Sequence, residues 1–254
     1  WSSDVCSSDL FYGAGDEAWK FHQQNEIRKQ MGVRGERAPA LQYLYLAGPR
    51  TADKELLLSL DEPVALRAVD WMDGSGILNG APEGTRFTLR ELAHIMLVHS
   101  DNTAANALMR TLGVRPMVRY YRSLGIRYGG PRLHTPQQVW QDNRIAPEDL
   151  GIVLRNIWEA AQRSPEPWAE LLTFMQESRS KSRIPGGLPP HVPVANKTGS
   201  KGTSFHDAAI VLARRPYVLV VMTHGMTVRE ASYYIAAVSR EVWEWHDRRA
   251  ARRP

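Results

Sequence analysis

The sequence predicts an α+β fold, and two features of its periodicity support this class. Apolar residues recur at helical spacing through the middle of the chain, over about residues 66–184. After that point short apolar runs separated by turn residues indicate strands, and a helical pattern at residues 228–245 follows them. Because the strands follow one another and a helix comes last, we expect an antiparallel sheet and no series of β-α-β units.

The first two helices are predicted from their ends. Thr88 followed by Glu91 forms a capping box, in which a hydroxyl and a carboxylate satisfy free amides at a helix start. The apolar positions after it predict a helix that stops near Ser100. A second helix is expected at residues 104–112, with Gly113 as its C-cap.

Two further helices are predicted from proline at first-turn positions, where the missing N–H costs nothing. Pro147 opens one of them, and Ser164-Pro165 opens the other. Both are followed by leucine, isoleucine and aromatic residues at helical spacing. The middle of the chain is therefore expected to form a helical lobe.

Three strands are predicted after this lobe. Residues 191–196 indicate a strand that runs into Lys197-Thr198-Gly199, and residues 208–213 and 217–223 indicate a hairpin. The helix at residues 228–245 has an apolar face that could cover the sheet. His206-Asp207 is interpreted as a turn or edge pair at the start of the second strand.

Composition and charge limit the class of protein. The 254 residues are 43% hydrophobic and 23% charged, which is typical of a globular domain, here in two lobes. No apolar run approaches the roughly 20 residues that span a bilayer, so we expect no membrane span. The net charge is +5, and four arginines lie in a basic tail at residues 247–254, which we interpret as solvated and not as a nucleic-acid contact. Cys6 is the only cysteine, which excludes an intrachain disulfide.

The first 57 residues carry little readable pattern. Residues 1–10 resemble one reading frame of a sequencing-library adapter, and we expect them to be an artefact outside the native protein. Residues 11–57 are an N-terminal segment of uncertain authenticity. We expect the domain to occupy residues 58–254, with a helical lobe over about 66–184 and an α/β lobe over about 185–246.

Two motifs indicate a site. Ser100-Asp101-Asn102 lies at a predicted helix–helix corner, where backbone amides are free and polar side chains can point together. Lys197-Thr198-Gly199 follows a predicted strand and offers a charge, a hydroxyl and a position that lets a ligand lie close. By average composition S-D-N has a chance frequency of roughly 4% and K-[S/T]-G roughly 12% in such a chain. Their joint occurrence, in this order, is therefore informative.

These motifs resemble those of the class A β-lactamase and penicillin-binding serine hydrolase family, whose signature set is S-x-x-K, S-D-N and K-T-G. The resemblance extends from about residue 58 to residue 245 and includes G-S-G-I-L at residues 74–78 and R-I-P at residues 183–185. It implies a helical lobe beside an antiparallel sheet flanked by terminal helices. It also implies acyl-transfer chemistry on β-lactams or peptidoglycan-type peptides.

The resemblance assigns roles to individual residues. Ser100 and Lys197 are the catalytic candidates, with Ser100 passing a proton to the β-lactam nitrogen, and Asp101 is structural at the site. The remaining candidates bind substrate: Asn102, Thr198, Gly199, Ser200 and Arg229. Arg229 would be a second carboxylate binder, and a plain surface arginine is the alternative interpretation.

The family's nucleophile is not found where it is expected. That position falls near residues 39–43, which contain neither the serine nor the lysine of S-x-x-K. A literal S-x-x-K occurs at residues 178–181, after S-D-N, and is interpreted as a chance match. Three explanations remain open: a frame-shifted or chimeric segment before residue 58, a natural pseudoenzyme, or another serine such as Ser59 or Ser75.

The deacylating base is also missing from its expected place. The corresponding loop, at about residues 128–144, contains no glutamate. Asp142 is a candidate base, although an aspartate beside Asn143 is typical of a turn. Without such a base an acyl-enzyme would persist.

The sequence therefore supports a β-lactamase-like serine hydrolase that lacks its nucleophile, with a non-catalytic ligand-binding module as the alternative. No cofactor is expected, and the eight histidines show no metal-binding spacing. The expected partner is a small β-lactam or a peptidoglycan peptide, with no nucleic acid, and the expected state is a monomer. The resemblance implies export to the periplasm or the outside of the cell, although no signal peptide opens this chain.

Overall fold

The computed structural model describes residues 60–126, 145–163 and 165–251. The strands in these ranges are β1 (Pro63–Ala65), β2 (Arg86–Thr88), β3 (Val194–Lys201), β4 (Ser204–Val211) and β5 (Tyr217–Thr223). The helices are α1 (Leu89–His99), α2 (Asn102–Leu112), α3 (Val114–Ser123), α4 (Pro147–Arg163), α5 (Pro165–Gln176) and α6 (Val228–Ala251). Two short 3-10 turns lie at Ala68–Asp70 and Ile184–Gly187. The predicted α+β class is confirmed.

The main sheet is antiparallel, in the order β3-β4-β5. Lys197 pairs with Ala208, and Thr198 pairs with Asp207. Every residue of β4 is buried, because both faces of this central strand are covered. Strands buried on both faces are usually apolar throughout, and β4 is apolar from Ala208 to Val211 but begins with the polar residues Ser204, His206 and Asp207.

Two hydrophobic clusters cover the two faces of the sheet. Ala208, Ile210 and Val220 belong to the cluster that includes the helical lobe. Their neighbours along the strands, such as Val211 and Leu219, belong to the second cluster with α6 and the Ile184–Gly187 turn. Because successive side chains of a strand point to opposite faces, Lys197 points to the helical lobe, as its partner Ala208 does.

The predicted N-cap of α1 and C-cap of α2 are confirmed, whereas α2 begins at Asn102 and not at residue 104. The Thr88 hydroxyl accepts the Glu91 N–H at 3.1 Å, and the Glu91 carboxylate accepts the Thr88 N–H at 2.7 Å. Gly113 ends α2, with its N–H donating to the Met109 carbonyl at 2.8 Å. The helices after Pro147 and at Pro165 also form as predicted.

The strand β4 differs from its prediction. It begins at Ser204 and not at residue 208, so His206 and Asp207 lie within the central strand and are fully buried. The interpretation of this pair as a turn or edge pair is therefore wrong. The start of the strand was missed because Ser204, His206 and Asp207 are polar. Their burial is made possible by internal hydrogen bonds, which the sequence does not display.

Several predictions fall outside the described residues. These are the segments at residues 1–10 and 11–57, the expected nucleophile position at 39–43, Ser59, and the loop at 128–144 with Asp142. The last helix, α6, runs through Ala251 and so extends into the basic segment that begins at residue 247. Among the described helices, none combines the length and apolar character needed to cross a bilayer.

Candidate active site

A cleft of about 250 Å³ lies where the helical lobe meets strand β3 of the main sheet. Among the residues that the structure describes, four stretches of chain line this cleft, and two of them carry the predicted motifs. The lining residues are Gly76, Ile77, Leu97, Val98, His99, Ser100, Ser178, Arg179, Ser180, Lys197 and Thr198. The fold therefore brings S-D-N and K-T-G to one cavity.

Ser100 lies at the corner between α1 and α2. Its backbone is left-handed, with φ 57° and ψ 38°, and it is the sole non-glycine residue of the described ranges with a positive φ. Helices commonly end in this conformation, although usually on glycine or asparagine. A serine here is uncommon, and the conformation turns its side chain into the cleft.

Asp101 fixes this corner. Its carboxylate is fully buried, and one oxygen accepts the Ala104 N–H at 2.8 Å as the N-cap of α2. The other oxygen accepts the N–H groups of Ile77 and Leu78 at 2.6 and 2.8 Å. A Cβ on Gly76 would lie 2.2 Å from that oxygen, so the close approach requires glycine. The Asp101 carboxylate thus joins the Gly-rich loop to the corner between α1 and α2, which is a structural role.

Asn102 starts α2 and faces the same loop. Its side-chain amide donates to the Asp73 carbonyl at 2.8 Å, and its backbone N–H donates to the Ser75 carbonyl at 3.1 Å. The side chain is half-buried. It lies beside the lining residues and not among them.

Lys197 reaches the helix corner from β3. Its Nζ donates to the Ser100 Oγ at 2.7 Å and to the Thr198 carbonyl at 2.9 Å, and 97 residues separate it from Ser100. The side chain is 1% exposed. Burial lowers the pKa of Lys197 to about 7, an effect that Asp207 opposes and Arg183 reinforces.

Asp207 lies on the opposite face of the sheet, where it is fully buried. Its carboxylate accepts the Ile184 N–H at 2.9 Å and the Asn196 side-chain amide at 3.1 Å. Burial raises the pKa of Asp207 to about 6, and these hydrogen bonds together with Arg183 and Lys197 limit the rise. The two buried ionisable groups therefore support each other's charged forms through the sheet.

Arg183 connects the same region to the end of β3. Its guanidinium donates to the Gly199 carbonyl at 2.9 Å and to the Ser200 Oγ at 2.7 Å. It also donates to the His206 carbonyl at 2.5 Å and lies 5.6 Å from the centre of the Phe205 ring. Arg183 thus holds Gly199 and Ser200 in place, and burial lowers its pKa.

The structure brings some of the predicted site residues together in the cleft. Ser100, Lys197 and Thr198 line the cleft, and Asp101 supports it. Gly199 and Ser200 continue β3 beyond the cleft wall, where Ser200 is exposed. Arg229 is exposed in the first turn of α6, outside the lining set.

Sequence reasoning missed the buried polar residues behind the cleft. Arg183 had a signal, because it begins the R-I-P segment that supports the resemblance. Asp207 and Asn196 had no such signal, because their importance depends on burial. Ser178 and Ser180 also line the cleft, although the S-x-x-K at residues 178–181 was interpreted only as a chance match.

The arrangement combines a hydroxyl, a lysine of lowered pKa and a partly enclosed cavity. Such a set can move a proton between a side chain and a bound molecule. Among the residues that the structure describes, no three His, Cys, Asp or Glu side chains are grouped to hold a metal ion.

Comparisons with known proteins agree on one family. The sequence model of the beta-lactamase enzyme family matches residues 43–246. Beta-lactamase 1 of Streptomyces cacaoi is 33% identical over 161 residues, which cover 55% of this chain and 47% of that protein. The beta-lactamase of Streptomyces fradiae is 32% identical over 178 residues, covering 62% of this chain and 56% of that protein. The chain thus spans about half the length of these curated relatives.

Solved structures show the same fold. The structure of PBP-A has a TM-score of 0.73 at 23% identity, over 83% of this chain and 81% of that chain. A variant of PBP-A, solved as an acyl-enzyme complex with penicillin G, has a TM-score of 0.77 at 21% identity, over 95% and 90% of the two chains. A beta-lactamase from Sphaerobacter thermophilus has a TM-score of 0.70 at 24% identity and covers 82% of both chains.

Proposed function

The chain belongs to the beta-lactamase enzyme family, and we propose that it acts as a class A β-lactamase-like serine hydrolase. Its reaction is acyl transfer or hydrolysis on β-lactams or peptidoglycan-type peptides. One observation carries the proposal: the Lys197 Nζ lies 2.7 Å from the Ser100 Oγ inside a cleft. That contact joins the two motifs that the resemblance singled out.

This contact suits proton transfer to a leaving nitrogen. A lysine with a pKa near 7 is both protonated and neutral in substantial fractions at neutral pH. Ser100 accepts a hydrogen bond from Lys197 and also lines the cleft, so its hydroxyl can receive a proton from Lys197 and pass one on. Hydrogen-bonded hydroxyl and amine groups exchange protons readily when their pKa values are matched to the reaction.

The neighbouring residues are assigned to ligand binding. Lys197, Thr198 and Ser200 bind the carboxylate of the ligand, and the Ser200 N–H forms half of an oxyanion hole. Asn102 holds the ligand's amide, and Gly199 lets the ligand lie against β3. Arg229 is kept as a second carboxylate binder at the start of α6.

A second candidate function is a non-catalytic module that binds β-lactams or cell-wall peptides. The absence of S-x-x-K near residues 39–43 favours it. The anion-binding side of the cleft, with Lys197 and Thr198, would serve such a module equally well.

Labelling with a fluorescent penicillin separates the two functions. We expect the folded full chain to give a covalent band that survives denaturing electrophoresis. Saturable penicillin binding without a covalent band would support the binding module. If the folded chain showed neither binding nor a covalent band, both functions would be contradicted. Lys197→Ala should slow labelling at least about 100-fold, whereas the control Lys201→Ala, at the end of the same strand, should change it less than about twofold.

We also propose that the protein acts as a monomer outside the cytoplasm, where peptidoglycan peptides are found. Family membership supports the location. Fractionation of a native host, followed by size-exclusion chromatography with light scattering, tests both statements. Recovery in the cytoplasm or a mass of twice the chain would contradict them.

A further inference from the structure

We propose that His99 and Arg179 form a second anion subsite in the cleft and that this subsite binds an additional carboxylate of the ligand. The ligand class is a β-lactam with two carboxylates, both on the part of the molecule that contains the leaving nitrogen. The inference rests on the proposed function, because it assumes that the cleft accepts a β-lactam. The subsite is separate from the carboxylate site assigned to Lys197, Thr198 and Ser200.

The lining of the cleft is positively charged. Among the residues that the structure describes, the lining includes three basic side chains, those of His99, Arg179 and Lys197, and no aspartate or glutamate. Lys197 lies on β3, whereas His99 is the last residue of α1 and Arg179 follows α5. A cleft lined by one sign of charge raises the local concentration of ligands of the opposite sign. Two of the three basic groups therefore belong to the helical lobe and not to the sheet.

These two basic groups lie close to each other. The Arg179 N–H donates to the Val98 carbonyl at 3.5 Å, so the segment after α5 runs beside the end of α1. Burial lowers the pKa of His99, and the positive charges of Arg179 and His94 lower it further, whereas Asp101 opposes them. The charge of Arg179 thus reaches the His99 ring. An anion bound beside both groups would interact favourably with Arg179 and would favour protonation of His99.

The carboxylates nearest to this position have contacts of their own. Asp101 is fully buried, and its two oxygens accept three backbone N–H groups. Glu177 precedes the cleft wall, and its carboxylate lies 2.6 Å from the His94 Nε2. A ligand carboxylate is therefore the counter-charge that the cleft can accept at His99 and Arg179.

The segment after α5 also supplies hydroxyl groups to the cleft wall. Ser178 and Ser180 line the cleft on either side of Arg179 in the chain. Ser178 is 4% exposed, so its side chain is held within the wall. The Ser180 carbonyl accepts the Asn196 side-chain amide at 3.0 Å, which ties the segment to β3. Guanidinium and hydroxyl donors on one segment are suited to binding a carboxylate.

The position of the subsite indicates which part of the ligand carries the second carboxylate. His99 directly precedes Ser100, which is assigned to the leaving nitrogen, and both residues line the cleft. Asn102, which is assigned to the ligand's amide, lies beside the lining residues and not among them. We therefore expect the second carboxylate on the ring that contains the leaving nitrogen and not on the amide side chain.

Competition between two matched cephalosporins tests the proposal. They share the amide side chain and differ only on the ring that contains the leaving nitrogen, where one carries a methyl group and the other a carboxyethyl group. Each competes with fluorescent penicillin for the folded full chain, and the concentration that halves the covalent label or the saturable binding is measured. We expect the carboxyethyl compound to compete at an about tenfold lower concentration.

The outcomes of this competition separate the inference from the proposed function. Equal concentrations for the two cephalosporins would overturn the second subsite and leave the proposed function in place. A folded chain that binds no penicillin and is not labelled by it would contradict both.

Variants of matched charge locate the subsite. Arg179 is exposed, so Arg179→Gln should fold, and it should reduce the preference for the carboxyethyl compound to less than about twofold. The methyl compound should compete as before. The control Arg240→Gln removes the same charge from an exposed position of α6 and should keep the preference. Loss of the preference in both variants would indicate an effect of net charge and overturn the subsite.

The pH dependence reports on His99. Because the pKa of His99 is lowered, this ring takes up its proton below about pH 6.5, where the ligand carboxylates stay ionised. We expect the preference for the carboxyethyl compound to rise about threefold between about pH 7.5 and pH 5.5. Both cephalosporins carry the other carboxylate, so the titration of Lys197 acts on both.

His99→Gln is the control for this rise. The variant keeps Arg179, His94, Asp101 and Lys197, which are the charged and titratable groups around His99, and it should remove the rise. A preference that does not change with pH in the unsubstituted chain, or the same rise in His99→Gln, would overturn a subsite that includes His99.

Discussion

At the residue scale, hydrogen bonds to backbone groups explain how charged side chains are kept at the cleft. Asp101 is fully buried, and its two oxygens accept three N–H groups from two separate segments. Arg183 is buried as well and donates to two carbonyls and a hydroxyl. Burying a charge without such partners would cost several kcal/mol. The cleft therefore depends on a few fully satisfied polar groups.

Asp101→Asn tests this dependence. An asparagine can still accept hydrogen bonds through one atom, but its NH₂ group would face a backbone N–H. We expect the free energy of unfolding to fall by about 2–3 kcal/mol, because buried donors lose a charged acceptor. Urea unfolding followed by circular dichroism measures the change.

Asp61→Asn is the control for charge alone. Asp61 is 72% exposed, and its contact with Arg90 at 3.0 Å is a surface pair. Surface pairs contribute about 0–1 kcal/mol. A similar loss in both variants would contradict a special role for Asp101.

At the scale of elements, helix ends decide where the site residues lie. α1 begins at a capping box, and its last residue precedes Ser100, while α2 begins at Asn102. A shift of either end by one residue would rotate the corner by about 100° and remove Ser100 from the cleft. The hydrogen bonds exchanged between Thr88 and Glu91 therefore contribute to the position of Ser100, which is twelve residues after Thr88 and nine after Glu91.

Two matched caps allow this contribution to be measured. Thr227 and Glu230 form at the start of α6 the same hydrogen bonds that Thr88 and Glu91 form at α1. We expect Thr88→Ala and Thr227→Ala each to lower the free energy of unfolding by about 1 kcal/mol. Thermal unfolding measures both losses.

The two variants should differ at the site. Fraying of α1 disturbs Ser100, whereas fraying of the α6 start lies outside the cleft lining. Penicillin labelling should therefore slow more in Thr88→Ala than in Thr227→Ala, where the frayed turn carries only Arg229. Equal labelling rates in the two variants would show that the α1 cap has no influence on the cleft.

At the scale of the whole molecule, the sheet separates two opposite charges. Lys197 faces the helical lobe, and Asp207 faces the Ile184–Gly187 turn and α6. Both groups are buried, so their proton affinities differ between the folded and the unfolded chain. Folding free energy must then depend on pH.

The sign follows from the direction of each shift. The pKa of Lys197 is lowered from 10.5 to about 7, so between these values the unfolded chain binds more protons and stability rises with pH. Between about pH 4 and pH 6 the raised pKa of Asp207 has the reverse effect, and stability falls as pH rises. The window from pH 7 to pH 9 therefore reports on Lys197.

Unfolding in urea at pH 7 and pH 9 measures this effect. We expect the gain in unfolding free energy between the two values to be roughly 2 kcal/mol larger in the unsubstituted chain than in Lys197→Met. The methionine variant keeps the volume of the side chain and removes its charge. Identical pH dependence in the two proteins would show that Lys197 titrates normally in the folded state.

The sequence by itself determined the local features of this protein. Capping residues, prolines and glycines encode helix ends through contacts a few residues apart, so α1, α2 and α4 were predicted closely. The strand β5 was predicted closely from its apolar run. The motifs at Ser100 and Lys197 could be related to one site by their resemblance to a family. Their order in the chain was sufficient for that assignment.

Only the tertiary structure decided which groups meet and what their charges are. The contact between Ser100 and Lys197 spans 97 residues, and the position of Asp207 in a buried central strand depends on partners in other segments. Distances across such separations are set by packing, and proton affinities by the water that packing removes. The sequence pattern contains neither these distances nor these proton affinities. The lowered pKa of Lys197 and the hydrogen bond from Arg183 to the Gly199 carbonyl are therefore visible only in the folded chain.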